Sequence, residues 1–356
     1  MNEWPLRSIV TAWTVTTVLL IVIQPFARHV GWVDHPGPRK LHVAPTPLIG
    51  GVAMFIGFTL ALMQMEMSWI RHEGIILGCG VCLIVGYLDD MHNIRAYLRF
   101  IIEWSLALWL SMGYGLEIHT LGDLFGLGEV VLGRWSILFT TISIVGLINA
   151  INMSDGLDGV AGGQSLVSFV WMIMMAGLAE RWMEGQILLM FVVVLVAFLY
   201  FNAPIPLLGR SSARIFMGDA GSMFLGLGLV WFAIMLSQGT NPAMTPTTAL
   251  WMVAVPLIDM FSIMFRRLLR GDRLFAPDLG HMHHIVLKMG FGKGAVCLIM
   301  MGLSALFGLC GAGGQWMGIP EAMMFYLWVV ALVLYCWFGI YYCERHQSCA
   351  NDSVKQ

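Results

Sequence analysis

The sequence predicts an all-α polytopic membrane protein with about eleven transmembrane helices, folded as one domain over residues 1–356. Charged residues make up 11% of the chain and hydrophobic residues 58%, whereas an ordinary soluble domain has about 25% charged residues. With so little charge, the chain could not cover a surface that faces water. The hydrophobic residues also form long runs, and a helix needs roughly 17–25 such residues to cross a bilayer core.

Eleven apolar runs are candidate spans. Pro256 is expected to kink the ninth, because proline lacks the N–H of a helical hydrogen bond. The first run is interpreted as a retained span, because no small-residue cleavage site follows it, and the tail 343–356 is expected to be flexible. The runs cover residues 8–27, 48–65, 74–88, 98–112, 136–149, 160–178, 187–201, 221–237, 247–265, 294–310 and 322–342.

The positions of Lys and Arg predict the orientation, because cytoplasmic loops of membrane proteins carry an excess of both. With the N-terminus outside and eleven alternating spans, 15 of the 19 basic residues fall on the inside. We therefore expect a multi-pass protein of a bacterial inner membrane, with a periplasmic N-terminus and a cytoplasmic C-terminus. A net charge of −2 does not indicate a nucleic-acid partner.

On the predicted cytoplasmic side, the first unusual motif is Asp89-Asp90, at the end of the third run. Adjacent carboxylates repel each other unless a cation or a proton lies between them, and each costs roughly 2.5–3.5 kcal/mol at membrane depth. The pair is therefore either a solvated helix end or a site that handles Mg²⁺ or protons. Arg99 follows within the next run.

The second motif, residues 149–159, places Asn149, Asn152, Asp155 and Asp158 among glycines. Oxygen ligands at this density suit a hard cation such as Mg²⁺, and the glycines would let backbone amides approach a phosphate. An ordinary polar turn is the alternative.

The third motif begins at Arg214 and places Asp219 just before the eighth run. A helix N-terminus here would help to bind an anion, and Asp219 could hold a metal beside it. Lys40 lies in another basic inside loop, which either binds a phosphate or only follows the charge rule for cytoplasmic loops.

The fourth motif has three histidines within four residues, and an aspartate and two arginines precede them. It could be a transition-metal site, but no Cys or Glu completes a zinc set at the usual spacing. A solvated loop is a second alternative, and the nearby arginines favour binding of an anionic substrate. The residues are Arg266, Arg267, Asp278, His281, His283 and His284.

Together, these loops supply oxygen ligands for Mg²⁺, arginines and glycine-rich turns, which are the components of phosphoryl transfer. The chain has neither a Walker A pattern nor a GxGxxG motif before a strand, so the phosphate donor is not bound in either of those ways. An active site at the membrane interface implies one lipidic and one water-soluble substrate.

These motifs resemble the signatures of the polyprenyl-phosphate N-acetylhexosamine-1-phosphate transferases, and their order and approximate spacing match over nearly the whole chain. The histidine motif is most similar to the branch that makes undecaprenyl-diphosphate-GlcNAc and UMP from UDP-GlcNAc and undecaprenyl phosphate. That reaction is the first membrane step of O-antigen and related cell-envelope polysaccharide synthesis. Another UDP-HexNAc, or UDP-MurNAc-pentapeptide, remains open as the donor.

The resemblance implies a role for each position. Asp219 would be the main Mg²⁺ ligand, with Asn152 assisting and Mn²⁺ as a substitute ion. Asp89 would deprotonate or orient the lipid phosphate, and Asp90 would support it. The substrate-binding residues would be Asn149, Arg99, Arg214, Arg266, Arg267, Asp278, His281, His283, His284 and Lys40.

The resemblance further implies that Asp155 and Asp158 order the metal and diphosphate region, and it allows a homodimer. Many relatives carry a lysine shortly after the paired aspartates, where this chain offers Arg95 and Arg99 instead. Arginine is not equivalent to lysine at a phosphate.

The chemistry favours direct attack of the lipid phosphate on the sugar-bearing phosphorus. The second pKa of a phosphate monoester is near 6, so a strong base is unnecessary. A covalent aspartyl-phosphate route through Asp89 or Asp219 is the alternative.

Two other protein classes remain as alternative functions. One is an intramembrane prenyltransferase. The other is a cation or proton transporter, which would place acids at mid-membrane.

Overall fold

The computed structural model describes residues 5–36, 44–65, 73–204, 210, 212–271 and 280–345, and no side chain beyond 342. The helices are α1 Leu6–His29, α2 Gly50–Leu62, α3 Glu73–His92, α4 Ala96–Tyr114, α5 Ser136–Ser154, α6 Val160–Leu178, α7 Trp182–Asn202, α8 Gly218–Ser237, α9 Pro246–Met252, α10 Ala254–Arg270, α11 Met282–Lys288, α12 Lys293–Trp316 and α13 Glu321–Arg345. The described chain is an all-α polytopic membrane protein, as predicted.

Ten of the eleven apolar runs each fall largely on one helix, and the ninth is divided between α9 and α10. Eight helices of the described chain are long and apolar enough to cross a membrane, and the bent pair α9 and α10 would make a ninth. The remaining two runs lie on α2, which has 13 residues, and on α4, which carries Arg99 and Glu103. The count of eleven spans and their direction stay predictions.

The ninth run is broken, as expected. Helices α9 and α10 meet at an angle of 82°, and the break lies three residues before Pro256. Proline has no N–H to donate to the carbonyl four residues earlier, which is that of Met252. The Ser168 hydroxyl of α6 donates to this carbonyl at 2.7 Å, so the bend leaves that acceptor satisfied.

Helix α8 is the most deeply buried of the candidate spans. It lies against α3 and α5, and glycines permit very close contact on both sides. A Cβ atom at Gly86 of α3 would stand only 2.3 Å from the Ala220 nitrogen, and one at Gly226 of α8 would stand 2.7 Å from the Cα of Ile148. This packing brings together the helix ends that carry the predicted motifs.

A short antiparallel pair, β1 Val33–Asp34 and β2 Thr46–Pro47, precedes α2. Its second strand joins the segment before α8, because the Phe216 amide donates to the Pro47 carbonyl at 2.8 Å. The Gly50 amide in turn donates to the Phe216 carbonyl at 3.0 Å. These bonds fix the start of α8 against the start of α2.

Candidate active site

The predicted motifs meet at one end of the helix bundle. Asp89 and Asp90 lie in the last turn of α3, Asn149 and Asn152 lie in the last two turns of α5, and Asp219 lies in the first turn of α8. The convergence follows from the packing of α8 between α3 and α5. Lys40 and Asp278 lie outside the described residues, and their roles stay predictions.

Arg99, in the first turn of α4, is the cation at the centre of this cluster. Its Nη1 donates to Asp89 Oδ2 at 2.7 Å and lies 3.7 Å from Asp219 Oδ2. Its Nη2 donates to Asn149 Oδ1 at 3.3 Å. One guanidinium therefore links side chains from α3, α5 and α8.

Glu103, one turn after Arg99, holds both Arg99 and Asn149 in place. The carboxylate is 1% exposed, accepts a hydrogen bond from Asn149 Nδ2 and lies 3.5 Å from the Arg99 Nε. A buried carboxylate is tolerated when it is paired and hydrogen-bonded in this way. The sequence offered only a weak signal for this role, an acid within an apolar run four residues after Arg99.

Asn152 orients Asp219. The Asn152 amide donates to Asp219 Oδ1 at 2.9 Å and to the Ser222 hydroxyl at 3.0 Å. Two residues predicted to act on one metal thus lie in direct contact.

Asp90 caps the N-terminus of α8. Its Oδ1 accepts from the Asp219 amide at 2.9 Å, and its Oδ2 faces the Ala220 amide at 3.4 Å. Asp90 therefore occupies two backbone amides at the helix start where the sequence predicted that an anion would bind. Gly218 has a φ of +72°, and a Cβ there would stand 2.5 Å from Asp90 Oδ2, so this position requires glycine.

Asp155, directly after α5, is half-buried and makes no hydrogen bond with its carboxylate to any described residue. Burial raises the pKa of Asp155 well above its ordinary value, and the negative charges of Asp219, Asp90 and Asp158 raise it further. Such crowding of carboxylates around a single arginine leaves an excess of negative charge that a bound cation would relieve.

No three His, Cys, Asp or Glu side chains of the described chain form a ready-made metal site. Mg²⁺, however, binds through one or two carboxylates and keeps several waters. The carboxylate of Asp219, with the side-chain oxygens of Asn152 and Asp89 nearby, is a hard donor set that fits this ion.

Neither Asp158 nor Arg214 pairs with Arg99, although the charge of Asp158 acts on Asp155. Asp158 is buried and accepts from Lys293 Nζ of α12 at 3.0 Å and from the Ala213 amide at 3.2 Å. It thus ties the motif of residues 149–159 to α12 and to the segment before α8. Arg214 is exposed.

The histidine motif ends in the short helix α11. His281 directly precedes α11, and its carbonyl accepts from the His284 amide at 3.0 Å. His283 is 1% exposed, and neither ring nitrogen has a hydrogen-bond partner among the described residues. Burial lowers the pKa of His283 well below its ordinary value, and the neighbouring His284 and His281 lower it further.

The histidine motif contacts the motif of residues 149–159. A Cβ atom at Gly156 would stand 2.6 Å from His283 Nε2 and 3.4 Å from His284 Nε2. Arg266 is buried and donates from Nη2 to the Gly280 carbonyl at 2.7 Å, so it supports the residue before His281.

One long cavity of about 890 Å³ begins at this cluster. Its polar end, which we call its mouth, is lined by Arg99, Asn149, Asn152, Arg267, His281 and His284. Its walls are apolar, and they include Phe100, Trp104, Phe139 and Ile142. The cavity extends to Gln238 and Thr247 at the opposite end of the bundle. A polar mouth on a long apolar cavity fits a molecule with a charged head and a hydrocarbon tail.

Comparisons with known proteins agree with this geometry. Residues 73–237 match the model of glycosyl transferase family 4. The undecaprenyl-phosphate alpha-N-acetylglucosaminyl 1-phosphate transferase of Escherichia coli strain K12 is 34% identical over 335 residues, covering 92% of this chain and 89% of that enzyme. The chain belongs to glycosyl transferase family 4, among the polyprenyl-phosphate N-acetylhexosamine-1-phosphate transferases.

Two further family members support this assignment. The enzyme of the same name from Yersinia pestis is 35% identical over 318 residues, covering 89% of this chain and 86% of that enzyme. The one from Haemophilus influenzae is 33% identical over 322 residues, covering 89% and 88%. The family model ends at residue 237, so the histidine motif lies beyond it and within the longer matches to these transferases.

Proposed function

We propose that this chain transfers GlcNAc-1-phosphate from UDP-GlcNAc to undecaprenyl phosphate, forming undecaprenyl-diphosphate-GlcNAc and UMP. The observation that carries the proposal is one apolar cavity whose mouth holds both the acid–arginine cluster and the histidine motif. The relatives with this name, at 33–35% identity over about nine-tenths of the chain, support the choice of sugar and lipid.

The apolar cavity would hold part of the polyprenyl tail of the acceptor. Its walls of Phe100, Trp104, Phe139 and Ile142 suit a hydrocarbon chain. The phosphate head would then lie at the mouth, where Arg99 stands beside Asp89 and Asp219. An arginine fork matches the geometry of phosphate oxygens.

The sugar nucleotide would enter from the cytoplasm, where such nucleotides are made. His281, His284 and Arg267 line the same mouth and would contact the donor. This arrangement accords with an inner-membrane protein whose N-terminus is periplasmic and whose C-terminus is cytoplasmic. It also accords with the predicted excess of Lys and Arg on the side of the motifs.

Asp219, assisted by Asn152 and with Asp89 close by, would hold Mg²⁺ or Mn²⁺. When bound, the ion would neutralise negative charge on the diphosphate. The protein's own residues align the two anions. Arg99 binds the acceptor phosphate, and Asp89, bonded to Arg99, orients it for direct attack.

In the transfer, an oxygen of the lipid phosphate bonds to the sugar-bearing phosphorus. The bond from that phosphorus to the bridging oxygen breaks, and UMP leaves with the electron pair. Such transfers depend mainly on positioning and charge neutralisation. Asp90 and Arg266 would act by supporting Asp219 and the residue before His281, as their hydrogen bonds indicate. Asp158 would tie the motif of residues 149–159 to Lys293. Asn149 holds Arg99 and itself lines the mouth.

The test is a transfer assay with purified protein, undecaprenyl phosphate and a panel of UDP-sugars labelled in the sugar, including UDP-MurNAc-pentapeptide. The proposal expects label in the lipid fraction with UDP-GlcNAc and release of UMP. EDTA should stop the reaction, and Mg²⁺ should restore it. Absence of label in the lipid fraction with every donor would refute transferase function and leave a prenyltransferase or a transporter as the alternatives.

A further inference from the structure

A buried aspartate that the proposed reaction does not yet use lies behind the histidine motif. Asp259, in α10, is 3% exposed. Its Oδ2 lies 2.6 Å from His281 Nδ1, and its Oδ1 accepts from the Met282 amide at 3.0 Å. The hydroxyl of Tyr335, in α13, also donates to Oδ1. Three donors from two other parts of the chain therefore converge on one carboxylate.

This contact fixes the ring of His281. An ionised carboxylate only accepts hydrogen bonds, so Nδ1 must carry the proton that faces Asp259. Nε2 lies on the far side of the ring and has no hydrogen-bond partner within the described chain. His281 lines the mouth of the cavity together with Arg267 and His284. The orientation therefore leaves Nε2 as the ring atom available to a bound molecule.

Burying a carboxylate is costly unless it is paired and hydrogen-bonded. If Asp259 served only to join α10 to α11 and α13, the bonds to Met282 and Tyr335 would be enough. The bond to His281 does something more, because it selects one tautomer of a side chain that faces the cavity. Supporting partners of this kind set which nitrogen of an imidazole is available for function.

We propose that Asp259 is a positioning residue that acts through His281, holding the ring so that Nε2 meets the sugar nucleotide. This inference rests on the proposed function. Asp259→Asn would place an amide where a carboxylate now accepts from Nδ1–H. The amide Nδ2–H would favour the opposite tautomer of His281 and turn an acceptor at Nε2 into a donor. The analogous change in serine proteases reduces kcat by about 10⁴.

The kinetic test is a double-mutant cycle of Asp259→Asn and His281→Ala, with kcat and KM measured for both substrates. Asp259→Asn alone should lower kcat/KM for UDP-GlcNAc by about 10–100-fold, with an unchanged KM for undecaprenyl phosphate. In the His281→Ala background it should cause little further loss, because the residue through which it acts is gone. Independent, multiplicative losses would overturn the proposal.

The matched control is Tyr335→Phe, which removes one donor to Asp259 and leaves the contact with His281. It should cost less than Asp259→Asn in the same assay. An equal loss in both variants, with equal loss of thermal stability, would make Asp259 a structural tie and overturn the positioning role.

A spectroscopic measurement separates this inference from the proposed function. Nitrogen-15 NMR of histidine-labelled protein reports the tautomer of each ring, and His281→Ala identifies the signal among the ten histidines. The wild-type ring should be protonated at Nδ1, and Asp259→Asn should shift the proton to Nε2. This readout stands even if no UDP-sugar is turned over, and an Nδ1 without a proton in the wild type would overturn the inference.

Discussion

Arg99 of α4 donates a hydrogen bond to Asp89 of α3 at 2.7 Å. The same guanidinium nitrogen lies 3.7 Å from the Asp219 carboxylate of α8, so one cation links the two acids for which the sequence predicted the central roles.

Replacing Arg99 should therefore impair transfer strongly. Arg99→Ala is expected to lower kcat by about 100-fold or more, the usual loss when one donor to a developing charge is removed. Arg99→Lys should retain part of the rate, because lysine keeps the positive charge but lacks the planar guanidinium that binds phosphate oxygens in pairs. The measurement is kcat and KM with UDP-GlcNAc. Arg95→Ala, four residues earlier and exposed, is the control and should remain close to wild type; an equal loss there would contradict the role of Arg99.

Asp219→Asn should abolish activity and leave the protein in the membrane. The change removes the charge that would hold Mg²⁺ and keeps a similar shape beside Asn152. Assays across a range of Mg²⁺ and Mn²⁺ concentrations check this expectation. Asp123→Asn, at the opposite end of the bundle, is the control for a general effect of losing one carboxylate. Substantial turnover in Asp219→Asn would remove Asp219 from the metal site.

A stability measurement should show that Asp90 caps the N-terminus of α8. Asp90→Ala is expected to lower the free energy of unfolding by about 0.5–2 kcal/mol, the usual cost of removing an N-terminal cap. Asp90→Asn keeps an oxygen for the Asp219 amide and should preserve Tm more nearly. If both variants have wild-type Tm, the cap contributes nothing. If Asn preserves Tm but not kcat, the negative charge of Asp90 is needed as well.

Filling the apolar cavity should weaken binding of the lipid acceptor and leave binding of the sugar nucleotide unchanged. Gly146 of α5 lines the cavity, and a Cβ there would meet no atom within 4 Å. Gly146→Phe is expected to raise KM for undecaprenyl phosphate several-fold while leaving KM for UDP-GlcNAc unchanged. Gly302→Phe, at an exposed position of α12 with equally open surroundings, is the control. Equal effects of both variants on the acceptor would argue against tail binding in this cavity.

Acid should destabilise the protein through His283. The pKa of His283 is lowered in the fold, whereas an unfolded histidine has a pKa of about 6.5. The unfolded chain therefore binds more protons at low pH. The contribution of His283 to stability is intact above about pH 6.5 and falls as the pH drops below it. His283→Gln should show a smaller decline of Tm between pH 7.5 and 5.5, and an identical decline would contradict this assignment.

The helices and the grouping of the motifs were predictable from the sequence, because apolar length and polar clustering are local signals. All eleven runs proved helical, and the motifs at Asp89, Asn152 and Asp219 proved to be neighbours. The break in the ninth run was predictable from the presence of Pro256. The hydroxyl of Ser168 that satisfies the freed carbonyl comes from another helix, and no local pattern shows it.

The contacts of individual side chains were less predictable. No local pattern around Glu103 or Asp259 identifies their partners. Glu103 contacts Arg99 one turn away but also holds Asn149, and Asp259 contacts His281 across 22 positions of sequence. Asp158 was grouped with the acids of its own motif, yet its partner is Lys293 of α12. Such pairings depend on which helices become neighbours, which single-sequence patterns do not report.

The close contact at Gly86 has a mechanical consequence. Because the backbones of α3 and α8 touch there, with no side chain between them, Asp89 and Asp219 are carried on what is in effect one stiff body. Any opening and closing during turnover would then fall to the other side of the mouth, where α4 presents Arg99 and the α10–α11 segment presents His281. Asp89 and Asp219 would keep their positions relative to each other during turnover, and Arg99 and His281 would move toward and away from them.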